Sequence, residues 1–263
     1  MKLLRRNDRL ANPRRQFMGR LIAGAGALLL AGCDKLSHTE WFTKVLSGAE
    51  VLNNGAQHLL TSRKSMAQEF DEKDLSPHFR SNGTSKPNNT NYTSLANNGF
   101  TDWALEVNGL VEQPMKFTLA QLRALPSRTQ ITRHDCVEGW SAIGKWTGAP
   151  LHEVLAQVKP TQQARYVIFH CADPMEDDGS KPYYESIDME DAYHPQTILA
   201  YELNGETLPI ANGAPIRARI ERQLGYKMAK YIMRIELAEN FNHVGSGGGG
   251  FWEDEGYPWY AGI

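Results

Sequence analysis

The chain has 263 residues, 41% of them hydrophobic, with a formal net charge of −2. That is enough apolar material for one large domain or two small ones, and the near-neutral balance gives no global reason to expect nucleic acid or an acidic membrane surface as partner. The three cysteines, Cys33, Cys136 and Cys171, are too few, and odd in number, for a disulfide scaffold. No C-x-x-C pair or C-x-x-C-H occurs, which argues against a zinc ribbon, a thioredoxin-like pair and a covalently attached c-type haem.

Residues 1–33 read as an export segment. A basic stretch, Met1–Arg20, precedes the apolar run Leu21–Ala31, which is short for a bilayer span and fits the core of a signal peptide. Arg14-Arg15-Gln16-Phe17-Met18 resembles a twin-arginine signal, a route that carries proteins already folded. Leu30-Ala31-Gly32-Cys33 resembles the bacterial lipobox, in which the cysteine is lipidated and becomes the mature N-terminus. The expectation is a protein anchored by lipid at Cys33 on the periplasmic side of a bacterial membrane. An ordinary signal peptide or anchor helix with an incidental cysteine is the plainer alternative.

Residues 34–78 mix polar residues with short apolar clusters and read as a tether with some helix, weakened by Gly48 and Gly55. Ser81–Asn98, rich in Asn, Ser, Thr and Gly, reads as loop. Regular structure is predicted from Trp103: a strand over Trp103–Val107, a turn at Asn108-Gly109, and a capping box at Thr118–Gln121 before a short helix. A strand follows at Gln130–Arg133, then a helix over Leu151–Val158 with Pro150 at its opening. Tyr166–His170 is predicted to be an interior strand, and Ile198–Leu203 a strand ending in a hairpin at Asn204-Gly205. Ile216–Ile220 and Tyr231–Leu237 alternate as strands do. Many short strands with a few short helices indicate an α+β domain over residues 79–245. Residues 246–263 read as a flexible glycine linker and an aromatic tail that docks on the domain, for core packing or at the mouth of a site.

The segment most informative about chemistry is Arg133-His134-Asp135-Cys136-Val137-Glu138-Gly139-Trp140-Ser141. Cys136 has His134 and Arg133 as neighbours, and a nearby cation favours the thiolate, a soft ligand for a transition metal. Asp135 and Glu138 oppose that, and the pattern alone fits a buried, inert cysteine equally well.

Cys136–Ser141, followed by Trp146-Thr147-Gly148 and Pro150-Leu151, resembles the molybdenum-ligating segment of the sulfite oxidase family, in its bacterial single-domain branch. The resemblance runs from about Phe79 to Leu237. It implies a sulfite-oxidase-type fold of mixed sheets with short helices, and a molybdenum–molybdopterin cofactor. Its metal would be held by the Cys136 thiolate together with two dithiolene sulfurs. By the same resemblance, Asn212 and Arg217 of Asn212–Arg217 bind the pterin and its phosphate. Gly225–Lys230 forms the phosphate loop, with Lys227, Met228, Ala229 and Lys230. Phe79, Arg80 and Asn82 lie along the pterin, and Arg80 is also a catalytic candidate beside Cys136. His134 and Cys171 are further residues near the cofactor; Cys171 reads equally as packing.

The function implied is oxygen-atom transfer or related redox chemistry on a small sulfur- or nitrogen-oxide substrate. No haem is expected in the chain, so a monomeric catalytic subunit would exchange electrons with a separate protein or a quinone-linked membrane subunit. Neither an N-terminal cytochrome domain nor a C-terminal immunoglobulin-like domain is expected. The alternative is a non-catalytic envelope lipoprotein that keeps the fold as a binding module. Glu176-Asp177-Asp178 and Glu253-Asp254-Glu255 would then be candidate partner patches.

Overall fold

The computed structural model describes residues 65–263 except 177–179, together with five single positions, Thr39, Trp41, Gly48, Leu52 and Gly55. Residues 1–57 separate from residues 58–263 as a unit of their own. The twin-arginine stretch, Cys33 and most of the tether lie outside the described residues. No helix among the described residues is long and apolar enough to cross a membrane.

Alternation at the start of the domain produces β1 (Ala104–Gly109), which buries Leu105 and Val107 completely. It ends at Gly109, where φ is 86° and a Cβ would lie 2.2 Å from the Leu237 carbonyl oxygen, so only glycine fits. β2 (Met115–Thr118) leads into α2 (Leu119–Ala124). There Thr118 Oγ1 accepts from the Gln121 N–H at 3.2 Å and Gln121 Oε1 accepts from the Thr118 N–H at 2.8 Å, the predicted capping box. α3 (Leu151–Val158) occupies its predicted span with Pro150 as N-cap, and fully buries Leu151, Val154, Leu155 and Val158. Each such side chain contributes roughly 1.5–3 kcal/mol through burial.

Two five-stranded sheets result. The first runs β2-β1-β10-β5-β6, with β5 (Tyr166–Pro174), β6 (Pro182–Asp188) and β10 (Ile232–Ala238). β1 and β10 are parallel and the other pairs antiparallel. β5 is thus an interior strand, as predicted. The second sheet runs β3-β4-β7-β8, with β9 on β7. Its strands are β3 (Arg128–Cys136), β4 (Trp140–Pro150), β7 (Ile198–Leu203), β8 (Glu206–Thr207) and β9 (Arg217–Arg219). The Asn204-Gly205 hairpin joins β7 to β8, with φ of 54° and 83° at those two residues. One core takes side chains from both sheets and α3: Leu105 and Val107, Val167 and Phe169, Ile235 and Leu237, Leu199 and Tyr201, and Ala218. The α+β class and the mixed sheets with short helices are those expected.

Three readings are corrected. Ser81–Asn98 is not all loop. Thr90–Asn97 forms α1, capped by Asn89, whose Oδ1 accepts from the Tyr92 N–H at 3.0 Å. Tertiary packing overrides the polar composition: buried Tyr92 meets the Tyr231 ring at 5.3 Å and donates to the Ala214 carbonyl at 2.6 Å. β4 gave no apolar period because its buried face is Ala142, Gly144, Trp146 and Gly148. A Cβ on Gly148 would come within 2.4 Å of the Leu199 carbonyl oxygen, so the small residues let β4 approach β7.

The third correction concerns the glycine run before α4 (Phe251–Asp254), which is a packed strap rather than a flexible linker. Asp254 accepts from the N–H groups of Ser246 and Gly248, each at 2.8 Å, and from the Tyr184 hydroxyl at 2.7 Å. The tail does dock on the domain, and Glu253 and Asp254 face inward instead of forming an acidic surface patch. Asp177 and Asp178 lie outside the described residues.

Candidate active site

Cys136 is the last residue of β3 and pairs with Trp140 at the start of β4, across the loop Val137-Glu138-Gly139. Gly139 closes the loop with φ of 83° and donates its N–H to the Cys136 carbonyl at 3.0 Å. The hairpin is braced by Asp135, which accepts from Arg133 Nε at 2.9 Å and from the Ser141 hydroxyl at 2.5 Å. Glu138 accepts from the Trp140 indole at 3.0 Å. Cys136 is a free, partly buried thiol. Burial raises its pKa; the Glu138 charge adds to that, while backbone N–H groups and the Arg80 guanidinium oppose it. The attractive charge is therefore Arg80, from a segment far away in sequence, and not the adjacent His134 or Arg133. A metal at this sulfur would have to displace its proton.

Cys136 lines a cleft of about 710 Å³, counted out to open solvent. Its other walls include Asn82, Gly83 and Thr84; Asp173 and Met175 at the end of β5; and the loop after β9 with Gly225, Tyr226, Met228 and Lys230. The loop closes tightly over β3, because a Cβ on Gly225 would stand 2.5 Å from His134 Nε2. His134 is completely buried, and its Nδ1 accepts from Arg219 Nη1 at 3.0 Å. Burial, reinforced by Arg219, Arg217 and Lys230, holds its pKa well below the usual histidine value. The ring is therefore neutral and carries its proton on Nε2, as a donor with no protein partner.

That orphan donor has company. Asn82 Oδ1, Asp173 Oδ1, Asn212 Nδ2 and Arg217 Nε are also buried without a hydrogen-bond partner. Native interiors rarely leave such groups unpaired unless a further ligand completes them. Arg217 is fully buried over the Trp146 indole, and among the described residues no carboxylate pairs with it. Burial, and then Arg219, push its pKa down to about 9. An anionic, multiply hydrogen-bonding group fits this set: phosphate would relieve the uncompensated charge at Arg217, and a heterocycle would engage Asn82, His134 and Asn212. The residues present thus fit a pterin cofactor with its phosphate, beside a soft sulfur ligand for its metal.

The remaining expected residues distribute as follows. Phe79 is buried edge-on against Trp146 at 4.9 Å and His134 at 5.9 Å. Arg80 lies 5.5 Å from the Trp140 ring and is not part of the cleft wall. Lys230 Nζ donates to the carbonyls of Asn82 at 2.7 Å, Ala211 at 2.9 Å and Thr84. It buckles the 81–84 segment onto the loop, and burial and Arg217 lower its pKa to about 7. Lys227 is fully buried between Glu185 and Glu253, outside the cleft wall. Met228 lines the cleft and Ala229 accepts from the Ala218 N–H at 2.8 Å, tying the loop to β9. Cys171 is buried in the main core and does not line the cleft. Of the three cations assigned to phosphate, only Arg217 keeps a nitrogen with no hydrogen-bond partner. Sequence reasoning missed Asp173 and Tyr183, and it placed Tyr226 only within the phosphate loop and Trp252 and Tyr257 only within the aromatic tail; all five line the cleft.

These residues could hold an anionic cofactor beside a cysteine able to ligate its metal. Residues 92–243 match the family model described as the oxidoreductase molybdopterin binding domain. The chain belongs to that family, and is a molybdopterin-dependent oxidoreductase of the sulfite oxidase type. It is 37% identical over 249 residues to the putative protein-methionine-sulfoxide reductase subunit YedZ1 of Azospira oryzae, covering 95% of this chain and 87% of that protein. It is 40% identical over 145 residues to the protein-methionine-sulfoxide reductase catalytic subunit MsrP of Xanthomonas axonopodis pv. citri. That match covers 52% of this chain and 45% of that protein. Among solved structures, the sulfane dehydrogenase SoxCD of Paracoccus pantotrophus aligns over 53% of this chain and 39% of its own, with a TM-score of 0.48 and 23% identity. The non-catalytic alternative finds no support in these comparisons.

Proposed function

We propose that this chain is the catalytic subunit of an envelope enzyme that reduces neutral organic S-oxides, with methionine sulfoxide in polypeptides as the leading substrate. The observation that carries this reading is the chemistry of the cleft. Beside Cys136 it presents Val137, Met175 and the rings of Tyr183, Tyr226, Trp252 and Tyr257, with the carboxyl groups of Glu138 and Asp173. Its one wall cation, Lys230, is committed to backbone carbonyls, and Arg80 lies outside the wall. On the cleft wall an anion such as sulfite would meet two carboxyl groups and no free cation, the Arg80 charge reaching Cys136 only from outside the wall, whereas a neutral sulfoxide with alkyl flanks is accommodated.

When bound, molybdopterin supplies the two-electron oxygen-atom chemistry. The protein residues hold it, shape the cleft and handle protons. Each sulfoxide consumes two electrons and two protons and releases a thioether and water. Asp173, raised to about 6 by burial, holds a proton on the cleft wall in mildly acidic conditions. The likeness to a putative reductase subunit and to a reductase catalytic subunit supports a reductase supplied with electrons by a separate protein. The purified, molybdenum-loaded protein is expected to oxidise a reduced viologen dye in the presence of a methionine-sulfoxide peptide. Sulfite-dependent reduction of an electron acceptor, with no turnover of sulfoxides, would overturn the proposal.

Export through Arg14-Arg15 and lipid anchoring at Cys33 are part of the same proposal, supported by the signal-like pattern of residues 1–33. Several acyl chains anchor a protein firmly and one binds only marginally. Cys33→Ala is therefore expected to move the mature protein from the membrane to the soluble periplasmic fraction, or to leave the precursor unprocessed. Mass spectrometry that finds an unmodified Cys33 in mature wild-type protein would rule lipidation out.

A further inference from the structure

The segment matching the family model ends at residue 243, yet residues beyond it form one side of the cleft. Trp252 and Tyr257 line the cleft beside Tyr226, and the three rings are contiguous: Trp252–Tyr257 and Tyr226–Tyr257 centroids are each 5.4 Å apart. Tyr257 remains 38% exposed, so part of its surface is open to an incoming group.

This wall is held rigidly. On one side the strap is pinned to β6. Glu185 bridges Gly250, the Ser186 hydroxyl donates to the Gly249 carbonyl, and the Trp259 indole donates to Ser186 Oγ at 2.9 Å. On the other side it is pinned to the 222–227 segment. Leu224 N–H donates to the Ala261 carbonyl at 2.9 Å, Ile263 N–H to the Arg222 carbonyl at 3.0 Å, and the Tyr226 hydroxyl to the Pro258 carbonyl at 2.7 Å. Lys227, between Glu185 and Glu253, locks the two sides together. Side chains on Gly248, Gly249 or Gly250 would collide with their surroundings at 2.8 Å or less, so the run of glycines is what lets the strap lie flat.

We propose that Trp252, Tyr257 and Tyr226 form an aromatic lip that receives the alkyl flanks and sulfur of a neutral organic S-oxide, and so select such substrates over small or anionic oxides. The inference rests on the reductase reading given above. Aromatic rings attract polarisable sulfur and shed water from alkyl groups, while their negative faces disfavour an anion. Rings already immobilised by the strap lose little conformational freedom when substrate arrives.

The test uses the molybdenum-loaded holoenzyme and two probes, a methionine-sulfoxide peptide and dimethyl sulfoxide. Trp252→Ala and Tyr257→Ala are each expected to lower kcat/KM for the peptide roughly tenfold, the scale of losing an apolar contact in a binding pocket. The loss should appear in KM, with dimethyl sulfoxide much less affected and molybdenum and pterin contents unchanged. Trp252→Phe should restore most of the peptide KM. Fluorescence anisotropy of a labelled sulfoxide peptide should show the same weakening without turnover. Equal losses on both substrates, loss of metal along with activity, or an unchanged peptide KM would each overturn the lip. A wild-type enzyme inert toward both sulfoxides would instead overturn the reductase reading, and the lip with it. An active wild type with unaffected variants removes the lip alone.

Discussion

Cys136→Ser is expected to abolish oxygen-atom chemistry while leaving the fold and most of the bound pterin in place. The side chain is partly buried at the end of β3, and serine is close to it in size, so packing changes little. The hairpin is braced by the Asp135 and Glu138 side chains and the Gly139 N–H, none of which bonds to the Cys136 sulfur; the Val137 and Glu138 backbone N–H groups that do face the sulfur can donate to a serine oxygen as well. Of the groups fitted to the pterin and its phosphate, Asn82, Asn212 and Arg217 belong to other segments, and His134, on the same strand, is held by Arg219 and not by Cys136. What is lost is the soft ligand: a hydroxyl is harder and much less acidic than a thiol. Absorption spectroscopy at the molybdenum edge should show three sulfur neighbours in the wild type and two in the variant, as expected for two dithiolene sulfurs with and without a protein thiolate. Equal sulfur counts in the two proteins would show that Cys136 is not the ligand.

Lys227→Met is expected to destabilise the protein by about 3–5 kcal/mol, because it leaves buried carboxylates without their cation. For a domain of this size, that lowers the thermal midpoint by roughly 6–20 °C. Lys227, Glu185 and Glu253 have no more than 1% of their side-chain surface exposed, and the second oxygens of both carboxylates have no partner. Burial raises Glu185 well above the usual carboxylate pKa, and the Lys227 charge opposes that rise. A carboxyl group whose folded pKa is raised favours folding below its unfolded value, and that contribution is lost as pH rises through the folded value. Removing Lys227 raises the folded value further. The deficit of the variant should therefore be small in acid, where Glu185 is protonated, and should grow towards neutral and alkaline pH. Thermal melts at several pH values check this, and a deficit independent of pH would sink the account. Adding Glu185→Gln and Glu253→Gln to Lys227→Met should recover much of the loss, since an uncharged buried cluster carries no desolvation penalty for ions.

Much of the domain was legible in the sequence where a local rule governs. The capping box at Thr118 and Gln121, the span of α3 and the Asn204-Gly205 hairpin depend on a few adjacent residues, and each forms as read. β1, with one buried face, and β7, buried along most of its length, declared themselves through apolar residues at alternate positions or in a short run. β4 did not, because its inward face is made of small residues that serve close approach of strands. α1 did not, because its stability comes from Tyr92 docking on Tyr231, far along the chain.

The site divides in the same way. Contiguous motifs placed Cys136, Met228 and Lys230 together at the cleft, and pointed to Asn212 and Arg217 as its buried polar neighbours. What each charge does there is a matter of distances that the sequence does not contain. Lys227 resembled a phosphate ligand, yet folding brings it to Glu185, 42 residues away, and Glu253, 26 residues away. The cation acting on Cys136 is Arg80 rather than the adjacent His134, whose own burial keeps it neutral. The sequence by itself determined the family, the α+β class and the cysteine at its centre, because these rest on short motifs and local periodicity. Only the tertiary structure decided which cations remain unpaired and that the glycine-rich tail is a wall of the cleft, because burial and pairing over long sequence separations set the energy of a charge or a ring.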